Sequence, residues 1–202
     1  MSDRVCLLRI GDGRGEYHNR SWESAQEALP TGEMDHVLID DSAHELGFSG
    51  AIAEGWRQAL ETGADWVFHL ELDFTFARPV PLERMIRVLT EHSYLVQMSL
   101  KRQPWNEEEK DAGGIVECCP DDFTQRTDRG DVWTEQRRYF TTNPSLYPAA
   151  LCNLGWPKEG ESEGRFTHRL LADPDARFGI WGPKFDPPAV EHIGAERQGT
   201  GY

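Results

Sequence analysis

The sequence predicts an α/β fold, with a central, mostly parallel sheet flanked by helices. Short apolar runs of strand length alternate with amphipathic stretches of helix length through the first hundred residues. Glycine and proline punctuate the joints between them. Acidic pairs follow two of the apolar runs directly, at the carboxyl ends of strands, where open α/β sheets bind their ligands.

Residues 4–10 (RVCLLRI) read as the first strand, closed by the glycine-rich turn 11–15 (GDGRG). That turn lacks the GxGxxG pattern of dinucleotide folds. Residues 19–29 can form a helix, with Asn19 or Ser21 as cap and Ala25, Ala28 and Leu29 on its apolar side. Residues 35–39 (DHVLI) return as a strand ending in Asp40 and Asp41. Over 48–62, Ile52, Trp56, Ala59 and Leu60 recur at helical spacing, and Gly63 stops the helix. Residues 65–70 (DWVFHL) are apolar enough for a buried parallel strand and lead into Glu71-Leu72-Asp73. A helix over 82–91 and a strand over 95–100 complete this half.

The second half is less regular. Residues 105–111 form a charged helix or loop, 134–141 alternate as a strand, and 143–148 (NPSLYP) make a rigid turn leading to 149–154. A helix over 164–171 and a short strand over 178–181 follow. The expected organisation is a single domain over 1–202, with a nucleotide-binding half (1–100), an acceptor half (101–194) and a flexible tail (195–202).

Composition narrows the function. The 202 residues carry a formal charge of -14, which disfavours a duplex nucleic-acid binder. No apolar run is long enough for a transmembrane segment. The four cysteines form no CxxC pair, and the adjacent Cys118 and Cys119 suit a reduced, cytoplasmic setting.

Glu71-x-Asp73 is the first chemical signal. An extended backbone would put both carboxylates on one face, and a divalent cation between them would relieve their repulsion and could hold a diphosphate. His192 is a candidate third ligand, since neutral imidazole suits Mn²⁺-like ions. Among the tryptophans in polar or glycine-rich surroundings (Trp105, Trp133, Trp156 and Trp181), Trp181 and then Trp156 are favoured for stacking on a sugar or base.

These residues together make the chain resemble the GT-A glycosyltransferases, more loosely their family-2-like branch, whose short stand-alone members occur in bacteriophages and actinobacteria. The resemblance implies a single GT-A-like, Rossmann-related domain using a nucleotide-sugar and Mn²⁺ or Mg²⁺. Glu71-Leu72-Asp73 would be its DxD-like motif, with glutamate at the first position, and His192 the C-terminal metal ligand. Asp40 or Asp41 would contact the nucleoside, Arg9 or Arg14 the nucleotide or its phosphates, and Arg197 of the tail the pyrophosphate. Asn143-Pro144-Ser145 and the acidic stretch from Gly160 to Phe166 match the acceptor side, making Glu163 the general base, with Glu161 and Glu159 as rivals. A base there implies inversion, although retaining members also carry acidic motifs and C-terminal histidines. UDP is the donor nucleotide by analogy. The acceptor is a protein, which in a phage-type member could be a virion protein, or a glycan. The setting is the cytoplasm of a bacterial or phage-infected cell. The alternatives are a sugar nucleotidyltransferase, a metal-dependent hydrolase, and a non-catalytic binding domain on a degenerate transferase fold.

Overall fold

A computed structural model describes residues 3–158 and 160–194. In chain order the elements are β1 (Val5–Gly11), α1 (Gly15–Ala28), β2 (Asp35–Asp40), α2 (Gly47–Glu61), β3 (Trp66–Glu71), β4 (Phe74–Phe76), α3 (Leu82–Glu91), β5 (Leu95–Leu100), α4 (Glu107–Ala112), α5 (Ile115–Cys118), β6 (Thr124–Asp128), β7 (Asp131–Gln136), β8 (Ser145–Pro148), α6 (Ser162–Leu170), β9 (Arg177–Trp181) and β10 (Val190–His192). Single 3₁₀ turns occupy Pro120–Asp122 and Ala149–Leu154.

An eight-stranded sheet takes the order β2-β1-β3-β8-β5-β9-β7-β6. The strands β2, β1, β3, β5, β9 and β6 run one way, and β8 and β7 run against them. The sheet is therefore mostly parallel in direction, as expected. The first three strands end in register, with Gly11 opposite Asp40 and Ile10 opposite Glu71.

Strand alternation divides the core between the two faces. Leu7, Phe68 and Leu70 pack against Ala25 of α1, Leu29 just past its end, and Met85, Ile86 and Leu89 of α3. Leu8, Ile10 and Val67 point the other way, onto Ile52 and Trp56 of α2 and Phe166 of α6. Each such fully buried Leu, Ile or Phe stabilises the fold by roughly 1.5–3 kcal/mol relative to exposure. No helix among the described residues is long and apolar enough to cross a membrane, and all four cysteines are free.

The differences from the sequence reading have local causes. Helix α1 starts at Gly15, four residues before Asn19, with Arg14 in the cap position and no side-chain cap. The stretch 143–148 is not only a turn: Ser145–Pro148 is a strand wedged antiparallel between β3 and β5. Its prolines conceal it, but Pro148 closes the strand and Pro144 precedes it. Thr124–Asp128 is polar and largely exposed because it is an edge strand, paired to β7 alone. The strand expected over 134–141 lies earlier, at Asp131–Gln136. Asp131, buried there, receives the guanidinium groups of Arg84 and Arg87 and so ties α3 to β7.

A buried polar chain crosses the α2 face. Trp56 Nε1 donates to the Tyr147 hydroxyl at 2.9 Å, and that hydroxyl lies 3.1 Å from His69 Nδ1. Burial pushes the His69 imidazole down to about 3, so it is neutral and Nδ1 can accept the Tyr147 proton. Tyr147→Phe removes both bonds and leaves the Trp56 donor buried without its acceptor. Such a loss costs about 1–3 kcal/mol, to be read as a lower urea midpoint at unchanged m-value.

Candidate active site

The carboxyl ends of β1 and β3 open into a cavity of about 960 Å³. Three parts of the chain meet at its acidic wall. Glu71 ends β3, and Leu72-Asp73 make a turn into β4. The extended backbone assumed for Glu71-x-Asp73 therefore stops at Glu71. Strand β10 pairs antiparallel with β4, setting His192 opposite Phe74, and Ile193 N–H donates to the Asp73 carbonyl at 2.8 Å. The Gln103 side chain clamps the His192 backbone, accepting from its N–H and donating to its carbonyl.

Asp73 is the centre of this wall. Its Oδ2 lies 2.9 Å from His192 Nε2 and 2.9 Å from Arg14 Nη2. Arg14 Nε donates to Asp12 at 2.9 Å. Burial alone would push the Asp73 carboxyl upward, but the His192 hydrogen bond and the Arg14 charge hold it below the usual carboxylate range. Gly194 follows closely: a Cβ there would lie 2.5 Å from Asp73 Oδ2 and 3.1 Å from Arg14 Nη1. Gly11 likewise leaves room for the His18 ring, 2.1 Å from where its Cβ would stand.

Glu163, in the first turn of α6, also lines the cavity. Backbone N–H and Oγ1 of Thr142 both donate to Glu163 Oε1, at 2.8 and 3.0 Å. Burial pushes the Glu163 carboxyl above its ordinary value, while the Thr142 bonds and the Arg102 charge pull the other way. Both bonds fall on one carboxylate oxygen, and the residue lines the cavity. Arg102 is held by Glu109 at 2.7 and 3.1 Å, and Arg138 by Asp122.

The fold thus brings Glu71, Asp73, His192 and Glu163 to one cavity, with Glu161 also on its wall. Glu159 and Arg197 lie outside the described residues. The other candidates stand elsewhere. Asp41 accepts three backbone N–H groups, from Glu45, Leu46 and Gly47 at 2.8–3.0 Å, and so fixes the approach to α2. Asp40 accepts from Ser42 N–H. Neither lines the cavity. Arg9 points to the α1 face and stacks on Trp22 at 4.1 Å. Trp156 is buried among Trp56, Phe140 and Phe166. Trp181 borders a separate hollow of about 340 Å³, beside Arg84. Of the four candidate tryptophans, the one at the cavity is Trp105, 52% exposed and against His192 at 4.9 Å. Its surroundings in sequence resemble those of the other polar-flanked tryptophans, and only the fold separates them. Arg102, Arg138 and Thr142 join the site through the fold in the same way, and of the two arginine candidates it is Arg14 that lines the cavity.

Among the described residues, no group of three or more His, Cys, Asp or Glu is placed to hold a metal ion, so Glu71, Asp73 and His192 do not form the expected three-ligand set. Asp73 and His192 remain as a pair. A carboxylate and an imidazole are donor types that Mn²⁺ or Mg²⁺ accepts, and these two meet at the cavity wall. Such a two-residue half-site suits a cation that takes its remaining ligands from phosphate and water. The acid surplus on the walls fits the same cation: Asp12, Glu71, Asp73, Glu109, Glu161 and Glu163 face Arg14, Arg102 and Arg138.

Two measurements follow from this wall. Gly194→Ala should displace Asp73 or Arg14 and lower stability by about 1–3 kcal/mol, seen as a fall in Tm. Because the folded Asp73 pKa is depressed, its charge stabilises the fold above the ordinary carboxylate range, and that contribution is lost as pH falls through the folded value. The Tm gap between the wild type and Asp73→Asn should be full near neutrality and close as pH drops below about 4.

Neither a family model nor a curated protein matches the sequence. Solved structures do match in fold. S. aureus TarS 1–349 in complex with UDP-GlcNAc aligns with a TM-score of 0.61 and 14% identity, over 98% of this chain and 60% of that one. The TarS 1–349 complex with UDP gives 0.53 and 13%, over 93% and 60%. A197 from STIV gives 0.53 and 8%, over 89% and 82%. The chain thus spans about 60% of the TarS 1–349 length. At these identities the likeness establishes the architecture, a GT-A-like α/β fold.

Proposed function

We propose that the chain is a glycosyltransferase that moves a sugar from a nucleotide-sugar, with UDP as the nucleotide, to a hydroxyl of a protein or glycan acceptor. The carrying observation is that one cavity is lined by Asp73, His192 and Arg14 and also by Glu163. The fold shared with TarS solved with UDP-GlcNAc and with UDP supports the donor class.

In this reading Asp73 and His192 hold Mn²⁺ or Mg²⁺, which when bound supplies positive charge for the leaving diphosphate. Glu163 performs the proton transfer. The acceptor oxygen attacks the sugar C1 and its proton passes to Glu163 Oε2. The C1–O bond to the diphosphate breaks, with its electron pair left on the phosphate oxygen. A base on the face opposite the leaving group gives inversion. Thr142 holds Oε1 and so fixes the orientation of the carboxylate that would take the proton. Trp105 offers an exposed flat ring to the C–H face of a sugar.

The test joins binding and turnover. UDP with Mn²⁺ should raise Tm, since a ligand of the native state alone stabilises it. No shift with UDP or GDP, with or without metal, defeats the reading. Glu163→Gln keeps an amide oxygen for Thr142, so it should preserve the UDP shift while lowering transfer by about 10²–10⁴-fold. A base must be ionised to act. The rate should therefore rise with pH through an inflection above the ordinary glutamate value of about 4.3, in the direction set by Glu163 burial.

A further inference from the structure

Arg14 occupies an unusual position for a residue beside a cation half-site. Its Nη2 bonds the same Asp73 oxygen that faces His192 Nε2, at 2.9 Å in both cases. Its Nε is pinned by Asp12. Asp73 is nearly enclosed, its side chain only 7% exposed, and an enclosed carboxylate needs a positive partner. The guanidinium meets that need. Nη1 has no hydrogen-bond partner among the described residues, and the side chain borders the cavity. Gly13 and Gly15 flank it, and no atom crowds Gly15.

From this arrangement we infer that Arg14 is a placeholder counter-ion, holding the Asp73 charge until metal and nucleotide arrive together and then transferring its charge to the diphosphate. The inference rests on the reading of Asp73 and His192 as the cation site. A divalent ion binding alone at the Asp73 carboxylate meets the guanidinium already bonded there, and two like charges are brought close. A diphosphate alone meets an acidic wall. When both bind, the guanidinium exchanges Asp73 for phosphate oxygens, a bidentate partner suited to its planar fork, and the ion gains phosphate ligands. Metal and nucleotide should therefore bind with strong mutual coupling, equal in both directions by linkage. Arg14 is thus a positioning residue that couples the binding of metal and nucleotide.

Titration calorimetry of the full chain with Mn²⁺ alone, UDP alone, and each in the presence of the other tests this. In the wild type, UDP should tighten Mn²⁺ by about 5–150-fold, the usual range of coupling. Arg14→Gln removes the charge but keeps hydrogen-bonding capacity. It should tighten Mn²⁺ alone by about tenfold, a change of about 1.4 kcal/mol, while weakening UDP and reducing the coupling to within about twofold. Arg14→Lys should retain weak binding of Mn²⁺ alone. Asp73→Asn should lose Mn²⁺ in every arm. Unchanged Mn²⁺ affinity in Arg14→Gln overturns the inference. So does a wild type that binds Mn²⁺ equally well with and without UDP, a result that needs no variant to fold. If the wild type binds neither Mn²⁺ nor UDP in any combination, the proposed function falls as well. Uncoupled binding of both leaves that function standing and removes only the role of Arg14.

Discussion

The burial of one carboxylate organises the working end of this molecule. Asp73 sits in the turn after β3, enclosed by protein, and an ionised group in that position must be matched by charge and hydrogen bonds. The match comes from distant parts of the chain: Arg14 from the turn after β1, and His192 from β10. Other details serve the same end. Strand β10 is only three residues long, yet its pairing with β4 carries the imidazole to the carboxylate. Gln103 clamps the His192 backbone, and Gly194 leaves the space that Asp73 and Arg14 occupy.

The second organising element is β8. Running against its neighbours, it separates β3 from β5 in a sheet whose other central strands run in one direction. The segment feeding β8, from Tyr139 to Asn143, becomes a wall of the cavity, and Thr142 within it orients Glu163. The same strand carries Tyr147 into the polar chain with Trp56 and His69. A rigid core contact and the orientation of the proposed base therefore share one short strand.

Much of the fold is legible in the sequence. Residues 4–10, 35–39, 65–70 and 95–100 are nearly continuous apolar runs and became β1, β2, β3 and β5 within a residue or so. The helices after them show the expected periodicity. Strands β4, β6, β8 and β10 leave weaker traces, because each is short, polar or flanked by proline, and pairing rather than composition makes it a strand. The site divides similarly. Asp73, Glu71, Glu163 and His192 stand out by residue type and by position at strand or helix ends, and the fold gathers them around one cavity. The role of Arg14 beside Asp73 is a relation between residues 59 positions apart, which no local pattern encodes. The tryptophans show the limit most clearly. Trp105 and Trp181 both have polar or glycine-rich surroundings in the sequence, and only the sheet order puts one at the cavity and the other at a separate hollow.

The contact between Asp73 and His192 joins residues 119 positions apart. Contacts of such separation close slowly, because the loop between them must be ordered first. During synthesis β1 and β3 have α1 and α3 to pack against long before residue 192 leaves the ribosome, while Ala189 and Val190 join that side of the core only later. The nascent chain can therefore build most of a scaffold while its acidic wall is still open. Competence of the site would arrive late in folding, set by the docking of the three residues of β10.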